Sequence, residues 1–162
     1  MAAKYSDIEI AELIAESKPL PERYSDLIRL KDKRGHKERE IDFKGEKGND
    51  FRLILRQSNA NLLDFSIILA FMPSGSNQLF RLKRYNGKSH EHTNTIENES
   101  FYDFHIHTAT ERYQEKGMKE DWYGGSTERF SDFTSALRCM LKDCGFVVPD
   151  DGQEMLFGEE IP

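Results

Sequence analysis

Four of the five histidines in this chain lie between positions 90 and 107: His90, His92, His105 and His107. Each pair is spaced His-x-His, so on a strand, where side chains alternate at period two, both rings of a pair point to the same side. Arg81 and Lys83 precede the first pair and Arg112 follows the second. Imidazoles beside cations suit phosphodiester cleavage without a metal. One neutral ring takes a proton from a 2′-hydroxyl while a charged ring returns one to the leaving oxygen. Arginine and lysine then stabilise the developing negative charge, and the same cations keep at least one ring neutral near pH 7. Two other readings compete. The His-x-His pairs with Asp103 could ligate a metal, although Arg81 and Lys83 would repel a dication. The same residues could also form a solvated polar face that does no chemistry. The metal-free reading, with no cofactor, sets the expectation.

The elements that must position these rings follow from local signals. Asn86-Gly87 tolerates the positive φ of a type I′ hairpin turn. It predicts a hairpin between Leu79–Tyr85 and Lys88–Thr93. In that register Tyr85 faces Lys88, Lys83 faces His90 and Arg81 faces His92, all on the side opposite Phe80 and Leu82. A loop from Asn94 to Ser100 then leads to a strand over Phe101–Thr108. This places Asp103, His105 and His107 on one face and brings four imidazoles together.

The rest of the chain reads as helix, sheet, helix. Ser6-Asp7-Ile8-Glu9 is a capping box for a helix near 6–17, stopped by Pro19 and Pro21. Strands are expected at Arg39–Phe43, Phe51–Arg56 and Phe65–Met72, the last so apolar that burial on both faces is predicted. Glu38, Glu40 and Asp42 share one solvated strand face, and His36 sits in a basic hairpin tip. Thr110–Lys116 reads as a helical turn and Asp121–Thr127 as a loop in which Trp122 and Tyr123 pad the core. Ser131 caps a final helix carrying Phe133, Ala136, Leu137, Met140 and Leu141, closed by Gly145. The fold class is therefore α+β: an antiparallel sheet of about 5–7 strands between an N-terminal and a C-terminal helix.

Composition bounds the function. The chain has 162 residues and a net charge of −6, so its overall field does not draw it to DNA or to an anionic membrane. Contact with RNA or DNA requires a local basic patch. No leader opens the sequence and no apolar run reaches membrane-spanning length. Cys139 and Cys144 fall on different faces of one predicted helix, which argues against a disulfide and for a reduced, cytoplasmic setting. Residues 1–149 are read as one domain and 150–162 as a flexible acidic tail.

The order of an arginine-rich strand (Phe80–Tyr85), a histidine-containing hairpin (His90–Asn94), a His-x-His strand with its sequel (Asp103–Tyr113) and a closing helix ending near a cysteine (Phe133–Cys144) resembles uncharacterised bacterial proteins of prophages and mobile islands. The resemblance covers roughly the C-terminal half. It implies a defence, counter-defence or toxin–antitoxin setting and assigns no catalytic residue.

In the tail, Gln153-Glu154-Met155-Leu156-Phe157 looks like the bacterial sliding-clamp-binding motif. Gln153 would hydrogen-bond at one subsite while Met155, Leu156 and Phe157 supply the apolar anchor. The sequence thus leads to a mobile-element effector acting on nucleic acid, with His90, His92, His105, His107, Arg81, Lys83 and Arg112 as its catalytic set. The alternatives are a non-enzymatic clamp-binding protein and an antitoxin or counter-defence module that binds a protein partner.

Overall fold

The structure is a computed structural model and describes residues 4–149. The first helix, α1 (Asp7–Ala15), starts at the predicted capping box. The Ser6 hydroxyl accepts from the Glu9 N–H at 3.1 Å, and the Ser6 N–H donates to Glu9 Oε1 at 2.9 Å. It ends earlier than expected because Glu16 turns to extended backbone and Lys18 enters a two-residue strand, β1 (Lys18–Pro19).

A short helix α2 (Tyr24–Leu27) leads to β2 (Lys31–Lys33), β3 (His36–Lys44), β4 (Asp50–Ser58), β5 (Phe65–Met72) and β6 (Phe80–Asn86). There follow β7 (His92–Asn94), β8 (Glu99–Phe101), β9 (His105–Thr108), α3 (Glu111–Glu115), β10 (Gly124–Ser126), α4 (Phe133–Asp143) and β11 (Phe146–Val147). Seven of these strands form one sheet in the order β10-β9-β6-β5-β4-β3-β2, every pair antiparallel. The fold is α+β, as expected. No helix among the described residues is long and apolar enough to cross a membrane.

Period-two alternation builds the core. Phe51, Leu53 and Leu55 of β4 and Phe65, Ile67, Leu69 and Phe71 of β5 project to one face. There they meet Ile10 of α1 and the stripe Phe133, Ala136, Leu137, Met140 and Leu141 of α4. The helical cap of α4 is Asp132 rather than Ser131; its carboxylate accepts from the Ser135 N–H at 2.8 Å. The opposite face of β5 is only partly covered: Ser66, Ile68 and Met72 are half-buried, not enclosed as predicted.

Lys18 ties both ends of the chain to this core. It is fully buried, and its ammonium donates to the carbonyls of Leu13, Ile14 and Glu16 at the end of α1 and of Cys144 at the end of α4, at 2.7–3.0 Å. One cation therefore serves the electronegative C-termini of two helices. Burial lowers its pKa to about 8, with Cys144 and Glu16 acting the other way, so it stays charged at neutral pH.

The predicted Asn86-Gly87 hairpin does not form. Gly87 is not in the left-handed region. Its N–H donates to the Phe65 carbonyl at 2.9 Å, and a Cβ there would lie 1.8 Å from the Leu63 oxygen. Glycine is needed at 87 for close approach to β5. The edge of β6 is occupied instead by β9, with Arg84 opposite His107 and Asn86 opposite His105. His92–Asn94 pairs with Glu99–Phe101 in a separate hairpin, whose turn carries the left-handed Asn98 (φ 56°).

A bulge corrects the face assignments as well. The β5–β6 register slips between Leu69 and Ala70, which face Lys83 and Arg81 and leave Leu82 as the extra residue. Beyond it the alternation reverses. Lys83 and Tyr85 turn to the core side, where the Tyr85 hydroxyl bonds Asp143 and the Lys83 ammonium meets the Thr108 hydroxyl at 3.1 Å. Arg84 and Asn86 turn to the histidine side.

Candidate metal centre

His105 and His107 stand on β9, and His92 reaches them from the β7–β8 hairpin folded over the same face of the sheet. Their ring centroids are 5.4 Å (His92–His105), 4.6 Å (His92–His107) and 4.8 Å (His105–His107) apart. One nitrogen from each ring lies within 4.8 Å of the other two. All three are buried: 4%, 0% and 4% exposed for His92, His105 and His107. Phe101 packs against His92 and His105, and Trp122 against His92, forming an apolar wall.

The hydrogen bonds fix which nitrogen of each ring carries the hydrogen. His105 Nδ1 lies 2.7 Å from the Asp103 carbonyl and His107 Nδ1 lies 3.1 Å from the Trp122 carbonyl. A carbonyl only accepts, so both Nδ1 atoms carry the hydrogen and both Nε2 atoms hold a lone pair. His92 Nε2 lies 2.8 Å from Asn94 Oδ1. The orientation of that amide is settled by Gly124: Asn94 Nδ2 donates to the Gly124 carbonyl at 2.7 Å and Oδ1 accepts from the Gly124 N–H at 2.8 Å. Nε2 of His92 must therefore donate, and Nδ1 holds its lone pair. Such outer partners preset a histidine for metal binding.

Burial keeps His105 and His107 uncharged. It lowers the His105 pKa to about 4, with His92, His90 and Arg84 adding to the effect. It lowers that of His107 to about 2, helped by His105, His92 and Arg84. Neutral imidazoles are what a metal requires.

The cations that argued against a metal are displaced or compensated. Lys83 lies on the other side of the sheet. Arg112 is held by Glu97 through Nε at 2.7 Å and lies over the Tyr123 ring. Arg84 donates through Nε and Nη2 to Asp121 Oδ2 at 3.1 and 2.8 Å. Arg81 pairs at 3.4 Å with both Glu120 and Asp121, whose carboxylate is almost fully buried. Asp103 does not join the rings: its carboxylate accepts from the Ser126 hydroxyl at 3.0 Å. His90 is exposed at the rim, its centroid 6.2 Å from that of His105. Gln153, Met155, Leu156 and Phe157 lie outside the described residues.

Sequence reasoning passed over the segment that organises the site. Asp121 neutralises the arginines, the Trp122 carbonyl orients His107, and Gly124 locks Asn94. A Cβ at Gly124 would lie 3.2 Å from His107 Cε1 and 3.4 Å from His105 Cδ2, so any larger residue in β10 would have to push the rings by a few tenths of an ångström. The two available signals were the adjacent glycines at 124 and 125, and Asn94 two residues after His92.

The donor set fits a zinc-like ion. Tetrahedral coordination at about 2.0 Å from each nitrogen places imidazole centroids roughly 5 Å apart, the spacing these rings already have. The nitrogens themselves would draw in to roughly 3.3 Å, a small pivot of each ring. Asn86 Oδ1, buried in this region, has no hydrogen-bond partner among the described residues. No protein-family model, curated protein or solved structure matches the chain.

Proposed function

We propose that this protein binds one divalent transition-metal ion of the zinc class through His92, His105 and His107, and that the ion fastens the β7–β8 hairpin to the main sheet. The observation that carries this reading is the convergence of three buried imidazoles, each with one nitrogen committed to an oxygen acceptor and the other holding a lone pair, that of His105 lying 3.4 Å from Asn86 Nδ2, which an ion would displace. Imidazole suits zinc, copper, nickel and iron; calcium and magnesium prefer oxygen and are disfavoured.

The metal-free reaction expected from sequence draws less support. It needs a protonated ring near neutral pH, whereas burial holds His105 and His107 neutral. It also needs free cations, whereas Arg81, Arg84 and Arg112 are each engaged by carboxylates.

The test is a titration of metal-free protein with zinc, followed by calorimetry, beside the double variant H105A/H107A. One ion per chain is expected, with affinity falling by more than about 100-fold in the variant. A folded double variant that binds zinc as tightly as the parent overturns the assignment, as does a parent that binds none.

A further inference from the structure

We infer that His90 is the fourth ligand of this centre, so that the ion is enclosed by four imidazoles with no exchangeable position. The inference rests on the three-histidine reading above and adds to it a residue outside the buried cluster.

The first argument is tautomeric. The Ser89 hydroxyl lies 3.4 Å from Asp64 Oδ1 and 3.1 Å from His90 Nδ1. With the hydroxyl hydrogen on Asp64, the Ser89 oxygen accepts from His90 Nδ1–H and Nε2 keeps its lone pair. In that tautomer His90 offers one lone-pair nitrogen, as the buried rings do. Its acceptor is in turn held by a carboxylate from another part of the chain.

The second argument is positional. The His90 centroid is 6.2 Å from that of His105 and perpendicular to it at 88°. An approach of about 1 Å toward His105 gives the spacing of roughly 5 Å expected between two rings on one tetrahedral ion, and binding requires the His90 ring to swing in and join the group formed by His92, His105 and His107. His90 lies in the bend over 87–91, which joins β6 to β7 and belongs to neither strand. No ladder hydrogen bond has to break for it to move. Gly87 anchors one end of the bend on β5 and His92 anchors the other in the cluster.

The third argument is chemical. Three ligands leave a four-coordinate ion one position short, and His90 is the exposed imidazole beside the buried cluster. Filling that position with a neutral donor satisfies a four-coordinate ion of the structural type.

Cobalt(II), whose visible absorption reports coordination number and ligand field, distinguishes the outcomes. Metal-free parent, H90A and H36A are titrated with cobalt chloride, folding being checked by circular dichroism; His36 is a remote control. His90 as ligand predicts intense four-coordinate absorption in the parent and H36A. In H90A it predicts a shifted spectrum, affinity lower by more than about tenfold, and a further spectral change on adding azide that the parent does not show. If H90A matches the parent in affinity and spectrum, or if azide alters the parent spectrum, His90 is not a ligand and the three-histidine centre stands alone. If the parent gives no cobalt spectrum, the underlying metal reading falls too.

Discussion

The Asn94 side chain accepts the Nε2 hydrogen of His92 at 2.8 Å while clasping both backbone groups of Gly124. One amide thus connects a flap histidine to the edge strand that backs the other two. The ligand set is thereby organised before any ion arrives.

Replacing Asn94 by Ala removes that clasp and frees the His92 ring to rotate and exchange tautomers. Zinc affinity is expected to fall by about 10–100-fold, the usual effect of losing an outer partner of a metal-bound histidine. Competition with a chromophoric chelator measures it. An unchanged affinity would show that the tautomer of His92 is set elsewhere.

Lys18 is a purely structural site by contrast. Exchanging it for Met keeps much of the bulk and leaves the carbonyls of Leu13, Ile14, Glu16 and Cys144 without their shared donor. Buried acceptors left in this state cost about 2–4 kcal/mol in total. Urea denaturation of K18M should show that loss, with metal stoichiometry intact. A variant as stable as the parent would show that water or a backbone shift satisfies these carbonyls.

Asp143 predicts a response to acid. Burial alone would push its carboxyl up, but hydrogen bonds from Arg129 and Tyr85, with the charges of Arg129 and Lys83, outweigh it and hold the pKa below the ordinary value. The unfolded chain takes up its proton first on acidification, so this contribution is present at neutral pH and is lost as pH falls from about 4 through the lower folded value. The stability gap between the parent and D143N should therefore be widest near pH 7 and narrow toward pH 3, followed by urea melts at each pH. A gap independent of pH would remove the carboxylate from the account.

Much of this architecture was legible from local pattern. The Ser6–Glu9 capping box, the alternation in β3 and β4 and the apolar stripe of α4 are short-range signals, and each marks its element. The His-x-His spacing put His105 and His107 on one strand face, but of the four imidazoles expected to meet only three do, His92 arriving on a separate hairpin and His90 standing at the rim. What failed was long-range. Asn86-Gly87 satisfies a tight turn locally, yet the edge of β6 pairs with β9 across the whole intervening hairpin. No dipeptide encodes that choice, because it depends on which edge buries the more apolar surface. The cationic partners were misplaced for a related reason. Period-two reasoning carries Arg81, Lys83 and Tyr85 along one face, and it holds only while a strand has no extra residue.

Leu82 is that residue, and its presence decides the electrostatic character of the cluster. With the register uninterrupted, Lys83 would stand on the histidine side and Arg84 on the other, trading a guanidinium held by Asp121 for an ammonium. The extra residue thus sets which cation faces the rings without any change to a histidine.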